Sequence, residues 1–107
     1  MEDFSAFKKS DDLSDMQGSA GDAAELLKTL SHSGRLMILC NLASGEKSVG
    51  ELEEMLDTRQ AAVSQQLARL RKDNLVSFRR DGKTVYYSLS DFKARQVIEL
   101  LYALYCR

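Results

Sequence analysis

The chain has 107 residues, 44% of them apolar and 29% charged, with a formal net charge of −1. That length supports one domain with a modest hydrophobic core, and a charge so near zero gives no bulk electrostatic sign of a nucleic-acid partner. No apolar run approaches the roughly 20 residues that span a bilayer, and the acidic N-terminus lacks the apolar stretch of a secretory signal, so a cytoplasmic protein with no membrane partner and reduced thiols is expected.

Residues 1–17 are polar and acidic and read as a flexible N-terminal tail or a frayed first helix, leaving 18–107 as the folded domain. Ala23, Ala24, Leu26, Leu27 and Leu30 predict a helix from about Asp22 to Leu30. Ser31-His-Ser-Gly34 interrupts it. Leu36, Ile38, Leu39 and Leu42 then predict a short helix from Arg35 to Ala43. The place of His32 just ahead of that helix suits a structural or capping role rather than a metal or catalytic one.

Ser48-Val-Gly-Glu51 has the form of a capping box, in which hydroxyl and carboxylate exchange hydrogen bonds with orphan backbone donors. Val49, Leu52, Met55 and Leu56 follow on one face of a short helix. Asp57-Thr58 breaks the pattern, and Thr58 is placed to cap a helix from about Arg59 to Asp73. Its apolar stripe is Ala62, Val63, Leu67 and Leu70, which leaves Arg59, Gln60, Ser64, Gln65, Arg69 and Lys72 facing outward. Two amphipathic helices across a tight turn, the second polar and basic on its free face, fit insertion into a DNA major groove.

Val76–Arg80 and Thr84–Leu89 are rich in β-branched and aromatic residues and predict a hairpin. Its two-residue turn is expected at Asp81-Gly82, a dipeptide that tolerates positive φ at both positions. Arg79, Arg80 and Lys83 would make the hairpin a basic wing. From residue 59 to residue 83 seven basic residues meet two acidic ones, while residues 1–25 carry seven acids against two lysines. This asymmetry, unlike the total charge, orients a protein on a phosphate backbone.

Asp91 or Ser90 is placed to cap a last helix running to about Cys106. Phe92, Val97, Ile98, Leu100, Leu101, Tyr102, Leu104 and Tyr105 are too many apolar residues for a helix with one buried face. A homodimer follows as an expectation, with this helix packing mainly on the first helix and its symmetry mates through Leu26, Leu27, Val97, Leu101, Leu104 and Tyr105. Two-fold symmetry would set two reading helices about one DNA turn apart, matching an inverted-repeat operator in double-stranded DNA. Ser64 and Gln65, with Gln60 and Arg59 close by, are the candidates for base edges, and Arg69, Lys72, Arg79, Arg80 and Lys83 for phosphates.

Leu27–Arg35, Ser48–Leu52, Ala62–Leu67, Leu70–Leu75 and Arg80–Leu89 together resemble the ArsR/SmtB repressors, over residues 22–106 and in the family's order. The resemblance implies a mainly α, dimeric winged helix-turn-helix with four helices, a small β-hairpin and a last helix. It also implies a repressor that leaves its operator when an inducer binds. Ser33 departs from the family pattern, which usually has proline there.

Metal-sensing members place cysteine pairs on the third helix or Asp/His/Glu clusters on the last. Here the third helix has no thiol, the last offers Asp91 and Glu99 without histidine, and no three- or four-ligand zinc or nickel set is expected. Cys40 and Cys106 resemble the paired cysteines of the family's reactive-sulfur and redox-sensing branch. That resemblance implies two thiols of one protomer, bridged by a disulfide or by inserted sulfur atoms when a reactive sulfur species or oxidant acts as inducer. A two-thiolate soft-metal or arsenic response stays open, as does a non-sensing DNA-binding protein with Cys40 a small hydrophobe beside Leu36 and Leu39. No glycine-rich phosphate cradle, paired carboxylate site or oxyanion-hole motif is present, so no catalytic residue and no cofactor is expected.

Overall fold

In a computed structural model, which describes residues 10–56 and 60–106 apart from the side chains of 10–13 and 60, the elements are α1 (Ser10–Leu30), α2 (Ser33–Ala43), β1 (Lys47–Ser48), α3 (Val49–Leu56), α4 (Gln60–Lys72), β2 (Val76–Asp81), β3 (Thr84–Leu89) and α5 (Phe92–Tyr105). The architecture is the expected winged helix-turn-helix with one additional short strand. Among the described residues no helix is long and apolar enough to cross a membrane.

Helix α2 is the hub. Ile38, Leu39 and Leu42 on it are at most 1% exposed and meet Leu30 of α1, Leu52 of α3, Val63, Leu67 and Leu70 of α4, Leu89 of β3, and Ala94 and Ile98 of α5 in one cluster. Burying each such leucine or isoleucine is worth roughly 1.5–3 kcal/mol, so α2, α3 and α4 share one core with α5. Helix α2 begins where His32, in extended conformation, accepts the Gly34 N–H on Nδ1 at 3.1 Å. Ser33 is thereby the first helical residue. Proline is favoured at that position because its missing N–H would go unused anyway, which explains how serine substitutes for it without altering the fold.

The Ser48 capping box forms: the Ser48 N–H donates to Glu51 Oε1 at 2.8 Å and the Glu51 N–H to Ser48 Oγ at 3.1 Å. Thr58, the expected cap of α4, lies outside the described residues. The other end of α4 closes with a Schellman motif. Leu75 N–H reaches Leu70 O and Asn74 N–H reaches Arg71 O, both at 3.0 Å, with Asn74 at φ 62°. Buried Leu70 and Leu75 supply the hydrophobic contact that accompanies this turn.

Strands β2 and β3 pair antiparallel from Val76↔Leu89 to Asp81↔Thr84. The two-residue turn is therefore Gly82-Lys83, one residue later than expected. Gly82 has φ +64°, and Lys83 is not among the positive-φ residues. That is the type II′ pattern, with glycine first, rather than the type I′ turn that Asp-Gly favours. Residues Lys47 and Ser48 add β1 to the open side of β3, opposite Tyr87 and Tyr86. Sequence patterning gave no sign of so short a strand.

Helix α1 also starts earlier than expected, at Ser10 rather than Asp22, so residues 10–17 are helical. From Ser14 to Glu25 its side chains are exposed, and only its last turn enters the core. Within the protomer α5 packs chiefly on α2. Asp91 caps it, accepting the Ala94 N–H at 2.8 Å.

Candidate nucleic-acid interface and paired thiols

Helix α4 divides by its periodicity. Val63, Leu67 and Leu70 face the core, and Ala61, Ser64, Gln65, Ala68, Arg71 and Lys72 are exposed. Ser64 and Gln65, the expected base-edge candidates, are thus both on the exposed face of α4. Ala61 and Ala68 flank them one turn either side, a feature the sequence reading passed over. Small side chains there let the helix approach a groove closely, and an alanine methyl can meet a thymine methyl. Arg59 and the side chain of Gln60 lie outside the described residues.

The five expected phosphate contacts are not alike. Lys72, Arg80 and Lys83 are exposed and, among the described residues, form no salt bridge, although Lys72 lies close enough to Asp73 for its charge to act on that carboxylate. Arg69 donates through Nε to Asp73 at 2.9 Å and is only partly exposed. Arg79 is gripped side-on by Glu46, Nε to Oε2 at 2.8 Å and Nη2 to Oε1 at 2.7 Å, and lies over the Tyr86 ring at 4.6 Å. The strand register sends Arg79 and Arg80 to opposite faces of the hairpin. Arg71, which is not among the five expected phosphate contacts, stacks on Phe78 at 4.3 Å and ties the end of α4 to the base of the wing.

A polar chain anchors α4 from behind. Asp73 Oδ2 accepts from the buried Thr29 hydroxyl at 2.7 Å as well as from Arg69, and these bonds hold its carboxyl below the usual range. Arg35 donates through Nε to Thr29 O at 2.8 Å and through Nη1 to Gln66 Oε1 at 3.3 Å, and Gln66 Nε2 lies 3.4 Å from His32 Nε2. The ends of α1 and α2 thereby fix the rotation of the reading helix about its own axis.

The thiols sit on the opposite side of α2. Cys40 is half-buried and lines a cleft of about 340 Å³ between α2 and α5, together with Ala43, Ser44, Ile98, Glu99 and Tyr102. Arg95 of α5 donates to Ala43 O at 3.1 Å beside it. Cys106, just beyond α5, is exposed. Burial pushes the Cys40 thiol up, and the charge of a nearby Cys106 thiolate pushes it further. Both cysteines are free thiols, Cys40 on α2 and Cys106 just past the end of the helix that packs on α2. Among the described residues no group of three or more His, Cys, Asp or Glu is placed to hold a metal ion.

Of the residues expected at a dimer interface, Leu26 and Val97 pack on the protomer's own core and Leu101 is partly exposed. Leu27, Leu104 and Tyr105 are 58%, 64% and 81% exposed. Leu100 and Tyr102 extend the same apolar surface along α5.

Residues 32–77 match the family described as bacterial regulatory protein, arsR family. The chain is 52% identical over 91 residues to the biofilm growth-associated repressor of Agrobacterium fabrum, covering 85% of this chain and 78% of that protein. It is 45% identical over 95 residues to the transcriptional activator HlyU of Vibrio cholerae, covering 89% of this chain and 88% of that one. The crystal structure of the transcriptional repressor BigR from Xylella fastidiosa superposes with a TM-score of 0.84 at 46% identity, covering 88% of this chain and 96% of that chain.

Proposed function

The chain belongs to the arsR family of bacterial regulatory proteins, and from that premise we propose that it is a homodimeric repressor whose grip on DNA is switched by bridging Cys40 to Cys106. It is a DNA-binding transcription regulator; the dimer, the inverted-repeat operator and the sulfur chemistry are the proposal. Two copies of α4 enter successive major grooves, Ser64 and Gln65 read base edges, and Lys72, Arg80 and Lys83 hold phosphates. The exposed apolar faces of α5 and α1 join the copies.

What supports the sensing step is that Tyr102 lines the cleft beside Cys40 and that Cys106, one turn further along α5, donates its N–H to Tyr102 O at 2.9 Å. Cys106 is the exposed one, so its thiolate attacks the outer sulfur of a persulfide RS–SH, forming Cys106–S–SH as RS⁻ leaves. The Cys40 thiol, kept protonated by its surroundings, then loses its proton and displaces HS⁻, leaving a disulfide. If a second donor has first converted Cys40 to a persulfide, closure with loss of hydrogen sulfide leaves a trisulfide. An ordinary disulfide needs Cα atoms within about 7 Å, and inserted sulfur relaxes that limit.

Either bridge pins the end of α5 to α2. Because α2 also carries the packing of α4, the bridge changes how the two copies sit and hence the spacing of their reading helices. A coupling of about 1–3 kcal/mol changes operator affinity five- to roughly 150-fold. Intact-mass spectrometry after exposure to a persulfide donor tests the chemistry. The expected product is one bridge per protomer, reversed by reductant, that neither Cys40→Ser nor Cys106→Ser forms. An unchanged wild-type mass would overturn it.

A further inference from the structure

We propose that Glu46 limits the strength of the DNA grip by competing with phosphate for Arg79, an inference that rests on the wing's contact with DNA proposed above. Arg79 stands on the wing, where a guanidinium would be expected to reach outward. It is instead held by Glu46 through two parallel N–H···O bonds of 2.8 and 2.7 Å, in the side-on fork geometry a phosphate would also use. The Tyr86 ring at 4.6 Å supports the same guanidinium from below.

Strand β1 is what delivers the carboxylate. Ser48 pairs with Tyr86, and Tyr86 pairs with Arg79, so the three stand in one row across the sheet. Glu46, two residues ahead of Ser48, reaches diagonally across the sheet to an arginine 33 residues away. Its neighbour Lys47 is turned aside, donating to Ser44 Oγ and Gly45 O at 3.3 Å. Among the described residues Glu46 therefore has Arg79 as its salt-bridge partner.

The paired charges cancel at a distance, so the wing releases fewer counterions than its basic residues suggest. The arginine bond holds the Glu46 carboxyl below its ordinary range, so the pair persists at neutral pH. The side chains of Arg79 and Glu46 are nevertheless 54% and 35% exposed, and exposed pairs exchange readily. On binding, Arg79 passes from the carboxylate to a phosphate oxygen while keeping its stack on Tyr86, and Glu46 is left as an anion beside the duplex.

Fluorescence anisotropy of the full chain on operator and non-operator duplexes across a salt series tests this. Glu46→Gln should tighten both several-fold at low salt and steepen the log K against log salt slope by about 0.9, one phosphate's worth. Arg79→Ala should weaken both, and Glu46→Gln should gain much less in that background. Equal gains in the two backgrounds would mean plain repulsion of DNA by a carboxylate and overturn the competition. Unchanged or weaker binding by Glu46→Gln, with Arg79→Ala still damaging, would overturn it while leaving the wing's role intact. Wild-type binding by Arg79→Ala would remove both.

Discussion

Thr29 and Asp73, 44 residues apart in the chain, are joined by a 2.7 Å hydrogen bond from a hydroxyl that is almost wholly buried to a carboxylate at the end of the reading helix. A negative charge there opposes the helix dipole, and Thr29 and Arg69 offset that cost by binding the same oxygen. The bond thereby links the last turn of α1 to the last turn of α4.

Thr29→Val keeps the shape and removes the donor. Its expected cost is near the low end of the roughly 1.5–3 kcal/mol typical of bonds to charged groups, because water takes up part of the loss at Asp73. Urea unfolding at fixed protein concentration measures it, and an unchanged midpoint would show the bond to be idle.

The same carboxylate gives a pH dependence. Its folded pKa is depressed, with the Thr29 bond the first cause. The unfolded chain, with aspartate near 3.9, therefore binds the proton more readily. Stability from this group is fully present above about pH 4 and is lost as pH falls through the folded value. Asp73→Asn should be less stable at pH 7 and should flatten the stability profile in that acid window. A profile as steep as wild type would assign the dependence elsewhere.

Asn74, at φ 62°, closes α4 in the left-handed region. Asn74→Gly should fold as well as wild type, whereas Asn74→Val should lose about 1–2 kcal/mol, the usual cost of placing an L-residue other than Asn or Asp in the left-handed region. Equal melting temperatures for the two variants would contradict the Schellman assignment.

Local signals were legible and long-range ones were not. Ser48 and Glu51 are three residues apart and their capping box reads directly from spelling, as does the apolar stripe of α4. Asp81-Gly82 predicts a turn, but strand pairing of Asp81 with Thr84 moves it by one residue, because register is set by the whole hairpin. The start of α1 is hidden because its N-terminal half carries no core-facing stripe, with Gly18 and Gly21 in the middle. Glu46 and Arg79 are 33 residues apart, and nothing in either neighbourhood announces their pairing. By charge alone Arg69 and Arg79 are equivalent to Lys83, although both are held by carboxylates in the fold.

On DNA, Gln65→Ala should weaken operator binding more than non-operator binding, by roughly 1–3 kcal/mol of lost discrimination. Lys83→Ala should weaken both and reduce the salt slope by about one. Parallel losses for the two variants on both duplexes would erase the division between reading and holding.

Leu104 is exposed in the protomer, so Leu104→Glu tests association without disturbing the core. Light scattering should report monomers, and operator affinity should fall because two half-sites are no longer engaged together. A dimer of normal mass would move the interface off this part of α5.

The decisive measurement follows one sample through the switch: footprinting on an inverted-repeat operator with both thiols free, after Cys40 has been bridged to Cys106, and again after reduction. Protection that vanishes with the bridge and returns with reductant is the predicted result. Identical protection in all three states would contradict the coupling between the thiol pair and the DNA-reading helices.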